Sequence, residues 1–239
     1  MEAAMSGSAV TFSVIVPTLN EADNIQRCIA NIQAIDPAVE IIIADGGSTD
    51  DTVQLAAAAG ATICRASRGR GPQCNAGAAC TMGNVLLFLH ADTQLPSNAF
   101  TLLREIFAAP DVQCAKFRLW FDTRDWLLDL AAICMWIDTI MTSYGDQCIV
   151  VRHTFFRDLG GFPAWPLFED VNFFEQARER TSVYVVPACV ITSARRFLQN
   201  GVVNQLLHDF WLMLQYLWGI PPQQIAETYE RQGAVLRSA

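Results

Sequence analysis

Apolar residues follow two rhythms along this chain. Short unbroken runs, such as FSVIVP at 12–17 and VLLFL at 85–89, have the length and β-branched content of buried strands. Between them, Ile25, Cys28, Ile29, Ile32 and Ile35 recur at helical spacing within 22–36. Read this way, the first hundred residues predict a strand at 12–17, a helix at 22–36, and a strand within 39–47 that runs into a turn. A helix at 51–59, a short strand at 61–66, a small helix at 72–82 and a strand at 84–89 follow. Such alternation predicts an α/β fold with a mostly parallel sheet flanked by helices. After Pro96 the pattern loosens. It gives a helix at 97–108, a strand at 112–121, a long helix at 125–142, a strand at 148–152 and a helix ending at Gly160-Gly161. A helix at 170–180, a strand at 182–192 and two helical segments, 198–218 and 222–236, form the rest. With no repeat or linker, residues 12–239 read as one domain behind a flexible tail, 1–11.

Composition narrows the partners. Of 239 residues, 52% are hydrophobic and 17% charged, which suits a folded chain with a substantial core. The net charge of −8 argues against nucleic acid, because phosphate backbones attract basic surfaces. Eight cysteines are scattered with no CxxC pair, so neither zinc nor a disulfide framework is expected. No basic segment leads into an apolar one at the N-terminus, and the expected location is the cytoplasm. Phe210 to Ile220 is nearly all apolar but stops at Pro221-Pro222, well short of the ~20 residues that span a bilayer. Trp126 to Met141 is interrupted by Asp129 and Asp138. Core packing, a homodimer contact and peripheral membrane contact all remain open for these two segments.

Neither GxGxxG nor GxxxxGK[ST] occurs, and no GxSxG marks a hydrolase elbow. Ligands of open parallel sheets bind at the carboxyl ends of strands, and here four such ends are polar. After the first strand, Asn20 is either an N-cap or, with Glu21, a ligand contact. After the second, Ser48-x-x-Asp51 has the spacing of a capping box, which leaves Asp45 unexplained beside two glycines. Residues 65–70 then hold three arginines, among them Arg68 and Arg70, as a solvated loop or a phosphate contact. At the fourth, an apolar strand ends in His90-Ala91-Asp92, with Gln94 two residues on. Asp92 there can bind a divalent cation that bridges diphosphate oxygens, and Gln94 can add a neutral ligand. Further along, Glu169-Asp170 precedes a helical pattern, as a cap or as catalytic carboxylates. Asp146 and Gln147 read as a turn or an acceptor contact, and Arg195-Arg196 as a surface pair or a clamp on a diphosphate.

Taken together, VIVPTLNEADNI, IIIADGGSTDDT, the NAG at 75–77, LLFLHADT and GGFPAWPLFED resemble the family 2 glycosyltransferases of the GT-A fold, over residues 12 to 192. TSARRF and the apolar C-terminal helices are similar to a narrower group associated with arsenosugar biosynthesis. The resemblance implies a GT-A, Rossmann-like domain with a nucleotide-binding half (12–96), an acceptor and catalytic half (97–197) and a C-terminal helical extension (198–239). It implies transfer of a sugar from a UDP- or GDP-sugar to a hydroxyl of a small-molecule or lipid acceptor, with inversion. Pro17, Thr18, Glu21 and Asp45 would contact the nucleoside, and Arg70, Asn75 and Ala91 would lie by the nucleotide. Asp92 would hold Mg2+ or Mn2+, with Gln94 beside it; His90 departs from the family's DxD and suits Mg2+ poorly as a ligand. Asp170, paired with Glu169, would be the catalytic base. That departure motivates a rival, a nucleotide-sugar-binding protein whose catalysis has decayed; a nucleotidyltransferase is a weaker one.

Overall fold

A computed structural model describes residues 9–227. The expected tail at 1–11 and the helix expected at 222–236 therefore fall largely outside the described residues, although 222–227 are helical. The elements run β1 (Phe12–Thr18), α1 (Ala22–Ile35), β2 (Glu40–Asp45), α2 (Thr52–Ala58), β3 (Thr62–Arg65), α3 (Arg70–Ala79) and β4 (Val85–Phe88). Next come α4 (Ala99–Phe107), β5 (Cys114–Phe121), α5 (Trp126–Cys134), a 3-10 turn (Gly145–Gln147), β6 (Ile149–Arg152) and α6 (His153–Leu159). The chain continues through α7 (Glu169–Arg178), β7 (Val183–Thr192), α8 (Arg195–Asn200) and α9 (Val202–Leu217).

Seven strands form one sheet in the order β3-β2-β1-β4-β6-β5-β7. The first four are parallel, as the alternation predicts, while β6 runs antiparallel to both β4 and β5. Successive side chains enter different cores. Val14, Val16, Ile41 and Ile43 pack with Ile25, Ile29, Ile32 and Phe100, whereas Ile15, Ile42 and Ala44 pack with Cys74, Ala78, Phe156 and Phe173. Burial of both faces explains why these strands are continuous apolar runs rather than alternating ones. On β7 the register slips where Val186 and Cys189 pair with consecutive β5 residues; Pro187, which has no N–H to donate, lies in the slip.

Three expected helices differ in detail. The 72–82 helix begins earlier, so that Arg70 opens α3. The 198–218 helix is two, split at Gly201 (φ +81°). The long helix at 125–142 stops at Cys134. Beyond it, Thr142 Oγ1 donates to the Ile137 carbonyl, Asp138 turns its carboxylate toward Arg178 and Ser143, and the segment winds as turns. Side-chain bonds of this kind compete with helix.

What draws that segment inward is Lys116, a fully buried lysine in the middle of β5. Its Nζ donates to the carbonyl oxygens of Thr142 (2.9 Å) and Ile137 (3.3 Å) and to Ser143 Oγ (2.6 Å), and lies 3.5 Å from Asp138 and from Gln147 Oε1. A buried ammonium is costly unless it is surrounded by acceptors, so the sequence 137–147 must supply them.

Among the described residues no helix is long and apolar enough to cross a membrane. Within 210–220, Leu212 and Met213 are buried while Phe210, Trp211, Leu217 and Trp218 are exposed, so this part of α9 is core on one face only.

Two predictions follow from the packing. Gly77 of α3 rides directly on β1, where an added Cβ would lie 2.4 Å from Ile15 Cγ2 and 3.3 Å from Ala44 Cβ. Gly77→Ala should cost about 1–3 kcal/mol by urea unfolding, as overpacking does; an unchanged midpoint would show that the helix shifts freely. For Lys116, burial pulls the ammonium down to about 8 from its ordinary 10.5, with Asp138 acting in the opposite sense. Between those pH values the unfolded chain still holds a proton that the native chain has released, so this residue's contribution to stability rises with pH across the window. Lys116→Met should lose about 2 kcal/mol or more at pH 7, and its deficit against the unaltered chain should widen from pH 7.5 to pH 9.5. A deficit that narrows would place the lysine's proton elsewhere.

Candidate active site

The carboxyl ends of β1 and β4, the first turn of α3 and the entry to α1 enclose a cleft of about 250 Å³. Its walls are Pro17, Thr18, Leu19, Glu21, Arg70, Gln73, His90, Ala91 and Asp92. Seven of the residues expected from the sequence thus meet in one place. Thr18 presents a buried Oγ1 with no hydrogen-bond partner, a group that costs free energy until a ligand satisfies it.

Gln73 and Leu19 were not expected. Gln73 is 5% exposed and its Nε2 donates to the carbonyl oxygens of Thr18 (2.6 Å) and Ala44 (2.9 Å), tying α3 to the ends of β1 and β2. Gly46 permits this approach, since a Cβ there would stand 2.9 Å from Gln73 Cδ. The available signal was a glutamine in register with the buried stripe of a helix.

Other expected contacts are committed to the scaffold. Asn20, in left-handed backbone (φ +56°), is no N-cap; Glu21 occupies that position of α1. The Asn20 Oδ1 accepts from Thr49 N (2.8 Å) and its N–H donates to Ser48 Oγ (2.9 Å). The Ser48–Asp51 capping box is therefore not formed: Asp51 caps α2 with no side-chain bond. Asp50 does cap, accepting from Ala22 N at the start of α1 and from Thr52 N. The buried Asp45 carboxylate accepts from Gly47 N (3.0 Å) and Ser48 N (3.1 Å), which shapes the loop after β2. Asn75 is bound at both ends of its amide by the Phe162 backbone, 2.8 and 2.9 Å, and so fixes the GGF loop rather than facing the cleft. Arg68 and Arg195 are exposed and outside the cleft walls. Arg196 is exposed too, yet its charge reaches Asp146.

Behind Arg70 and His90 lies a carboxylate layer. Arg70 Nη1 is 3.2 Å from Glu169 Oε1, a half-exposed guanidinium against a carboxylate that is almost wholly buried. Burial, and after it the adjacent Asp170 charge, push the Glu169 carboxyl above its ordinary value, while Arg70 pulls it down. Asp170, 7% exposed, is not the cap of α7; Phe168 is, in left-handed backbone (φ +63°). Asp170 Oδ2 instead accepts from the Gly145 backbone N–H at 2.6 Å, and Oδ1 accepts from Val171 N at 2.8 Å. A carboxylate held by two backbone donors is fixed in direction and still has lone pairs to offer.

His90 belongs to the same layer. Its Nδ1 is 2.9 Å from Asp146 Oδ1, and both His90 Nε2 and Asp170 Oδ2 lie 3.1 Å from where a Gly145 Cβ would be. Burial works to raise the Asp146 carboxyl, but the His90 hydrogen bond and the charges of His90, Arg70 and Arg196 outweigh it and hold the carboxyl well below its usual value. Of the expected metal ligands, His90 and Asp92 line the cleft, with the His90 Nδ1 engaged by Asp146; Gln94 is not among the cleft walls, and its backbone pairs with that of Ile191. Asp92 brings a carboxylate to the cleft at the end of β4, and among the described residues no group of three or more His, Cys, Asp or Glu could hold a metal. One carboxylate suits a cation that takes its remaining ligands from a substrate's phosphates and water.

Comparison with known proteins agrees with this architecture. The model of glycosyl transferase family 2 matches residues 13–156. Glucosyl-3-phosphoglycerate synthase of Mycobacterium tuberculosis (strain CDC 1551 / Oshkosh) is 32% identical over 129 residues, covering 48% of this chain and 39% of that protein. The chain thus spans about two fifths of the length of that curated relative. Among solved structures, Staphylococcus aureus TarS 1–349 in complex with UDP superposes with a TM-score of 0.65 at 18% identity, over 86% of this chain and 64% of that one. The M. tuberculosis glucosyl-3-phosphoglycerate synthase in complex with Mn2+, UDP and glucosyl-3-phosphoglycerate gives 0.59 at 20% identity, over 89% and 81%. Both share the GT-A fold with this chain. The match supports the resemblance at the level of the family and does not reach the narrower arsenosugar-associated group. With the fold and 144 consecutive residues in agreement, this chain belongs to glycosyltransferase family 2.

Proposed function

We propose that the protein transfers a glycosyl group from a nucleotide-sugar donor to an acceptor hydroxyl by single displacement, with Asp170 as the base. The observation that carries this reading is a buried carboxylate aimed by the Gly145 amide beside a cleft that is itself formed by strand ends. Pro17, Thr18 and Glu21 line the part of that cleft that would take the nucleoside, with Asp45 shaping the loop next to it. The unpartnered Thr18 Oγ1 is a ready contact for a base or ribose. Ala91, small and buried at the strand end, leaves room for the nucleotide.

Arg70 would meet the diphosphate, and Glu169 is a positioning residue that holds the guanidinium at the cleft wall. Asp92 would hold a divalent cation together with the donor's phosphate oxygens; such a cation neutralises charge on the departing nucleoside diphosphate. The Mn2+ and UDP named with the mycobacterial neighbour support that assignment, and Mn2+ or Mg2+ would both suit an oxygen site.

The acceptor hydroxyl is a poor nucleophile until a positioned carboxylate takes its proton during attack. Two observations support Asp170 in that role: backbone donors fix its orientation, and its Oδ2 shares the Gly145 junction with the cleft residue His90. Attack from that side, opposite the leaving diphosphate, would invert the anomeric centre. The acceptor, a small molecule or a lipid, would be held by residues of the 97–197 half and α9.

Asp170→Asn keeps the shape and the Gly145 contact while removing the base. Turnover should fall by about a thousandfold, and donor affinity measured by calorimetry with Mn2+ should stay within a factor of about two. Unchanged turnover would remove Asp170 from the chemistry. An unaltered chain that binds donor yet consumes none across a panel of hydroxyl acceptors would favour a binding protein.

A further inference from the structure

We infer that Cys64 and Cys80 form a dithiol that closes reversibly to a disulfide, a modification site bracketing the segment that carries Arg70 and Gln73. Their sulfurs lie 2.8 Å apart, inside the contact distance of two non-bonded sulfurs. A disulfide at about 2.05 Å needs only a small further approach. The inference is independent of the glycosyl-transfer reading.

The two thiols differ in a way that suits exchange. Cys64 lies on β3 at the edge of the sheet, on the face covered by α3, and packs in the core with Ala44, Cys74 and Ala78. Its own S–H donates to the Ala76 carbonyl (3.3 Å) while its sulfur accepts from Cys80. Cys80 closes α3 at its C-cap and is exposed. Burial, followed by the Cys80 hydrogen bond, pushes the Cys64 thiol up to about 11, so Cys80 is the thiol that meets an oxidant first. Four of the other cysteines, Cys28, Cys74, Cys114 and Cys148, are buried.

Oxidised glutathione supplies a balanced route. The Cys80 thiolate attacks one sulfur of the glutathione disulfide, forming a mixed disulfide and expelling one glutathione thiolate. Cys64 then attacks the Cys80 sulfur, gives its proton to solvent, and expels the second glutathione. Two protein thiols are oxidised, one glutathione disulfide is reduced, and reduced glutathione in excess runs the sequence backwards.

Closure would tie the C-terminal end of α3 to the edge strand. The loop so formed, 64–80, includes Arg68, Arg70, Gln73 and Asn75, and constraining it in the unfolded chain raises stability.

The test uses the full chain equilibrated in glutathione buffers from reducing to oxidising, quenched with acid and alkylated. The expected result is a species lighter by two hydrogen atoms, a linked peptide pair containing Cys64 and Cys80, and reversal by dithiothreitol. The oxidised protein should melt roughly 5 °C higher, and Cys80→Ser should lose both the mass change and the shift. Cys64→Ser should instead trap glutathione on Cys80. Persistent glutathionylation of Cys80 in the unaltered chain, full alkylation of both thiols at the oxidising end, or a linkage to any other cysteine would overturn the proposal.

Discussion

A lysine with no exposure, set within a strand, is the constraint on which the arrangement around Gly145 and Asp170 depends. Lys116 needs acceptors around its Nζ, and the chain between Ile137 and Gln147 provides them with carbonyl oxygens, a hydroxyl, an amide oxygen and Asp138. Arg178 joins from α7 by gripping Asp138 at 2.6 and 2.9 Å and Ser143 at 2.6 Å. Those bonds decide the course of the segment, and its course decides where the Gly145 amide and the Asp146 carboxylate point. Gly145 N then aims Asp170, and Asp146 takes His90. A buried ion pair is weak evidence for stability as such; here its consequence is positional.

The same chain of contacts answers why an apolar strand should end in a histidine. His90 does not simply meet water, and its Nδ1 is not free for a cation. Both polar side chains of the strand end line the cleft, and His90 in addition reaches Asp146 and the space beside Asp170. A Cβ at Gly145 would stand 3.1 Å from both the imidazole and the carboxylate, so any side chain there would press them apart.

Much of this was legible in the sequence, for a physical reason. Strands buried on both faces announce themselves as apolar runs, and polar residues just past them are costly unless they do something. Hence Glu21, Arg70 and Asp92 could be named from the residues alone, the family resemblance added Pro17, Thr18 and Ala91, and all six line one cleft. The misreadings have causes as definite. Periodicity registers apolarity and not the demands of a buried ammonium, so 125–142 read as one helix. The Ser48-x-x-Asp51 spacing is a local signal, and it yields to Asn20, which reaches Ser48 and Thr49 from another loop. The antiparallel insertion of β6 between β4 and β5 leaves no mark on composition, because a strand buried on both faces looks alike in either direction. Gln73 and Lys116 were visible as polar residues inside apolar elements, a signal that marks burial with a partner.

The central claim is that Lys116 positions the Asp170 carboxylate, the proposed base, through the Gly145 amide. Hydrogen exchange of the Gly145 to Gln147 amides, compared between the unaltered chain and Lys116→Met at pH 7, tests it most directly. The account predicts that protection at Gly145 and Gln147 falls by at least tenfold in the variant, a small local free-energy change, while β1, β2 and β4 keep theirs. Protection at Gly145 that stays level with those strands would show that Asp170 is aimed without the lysine, and would contradict the account.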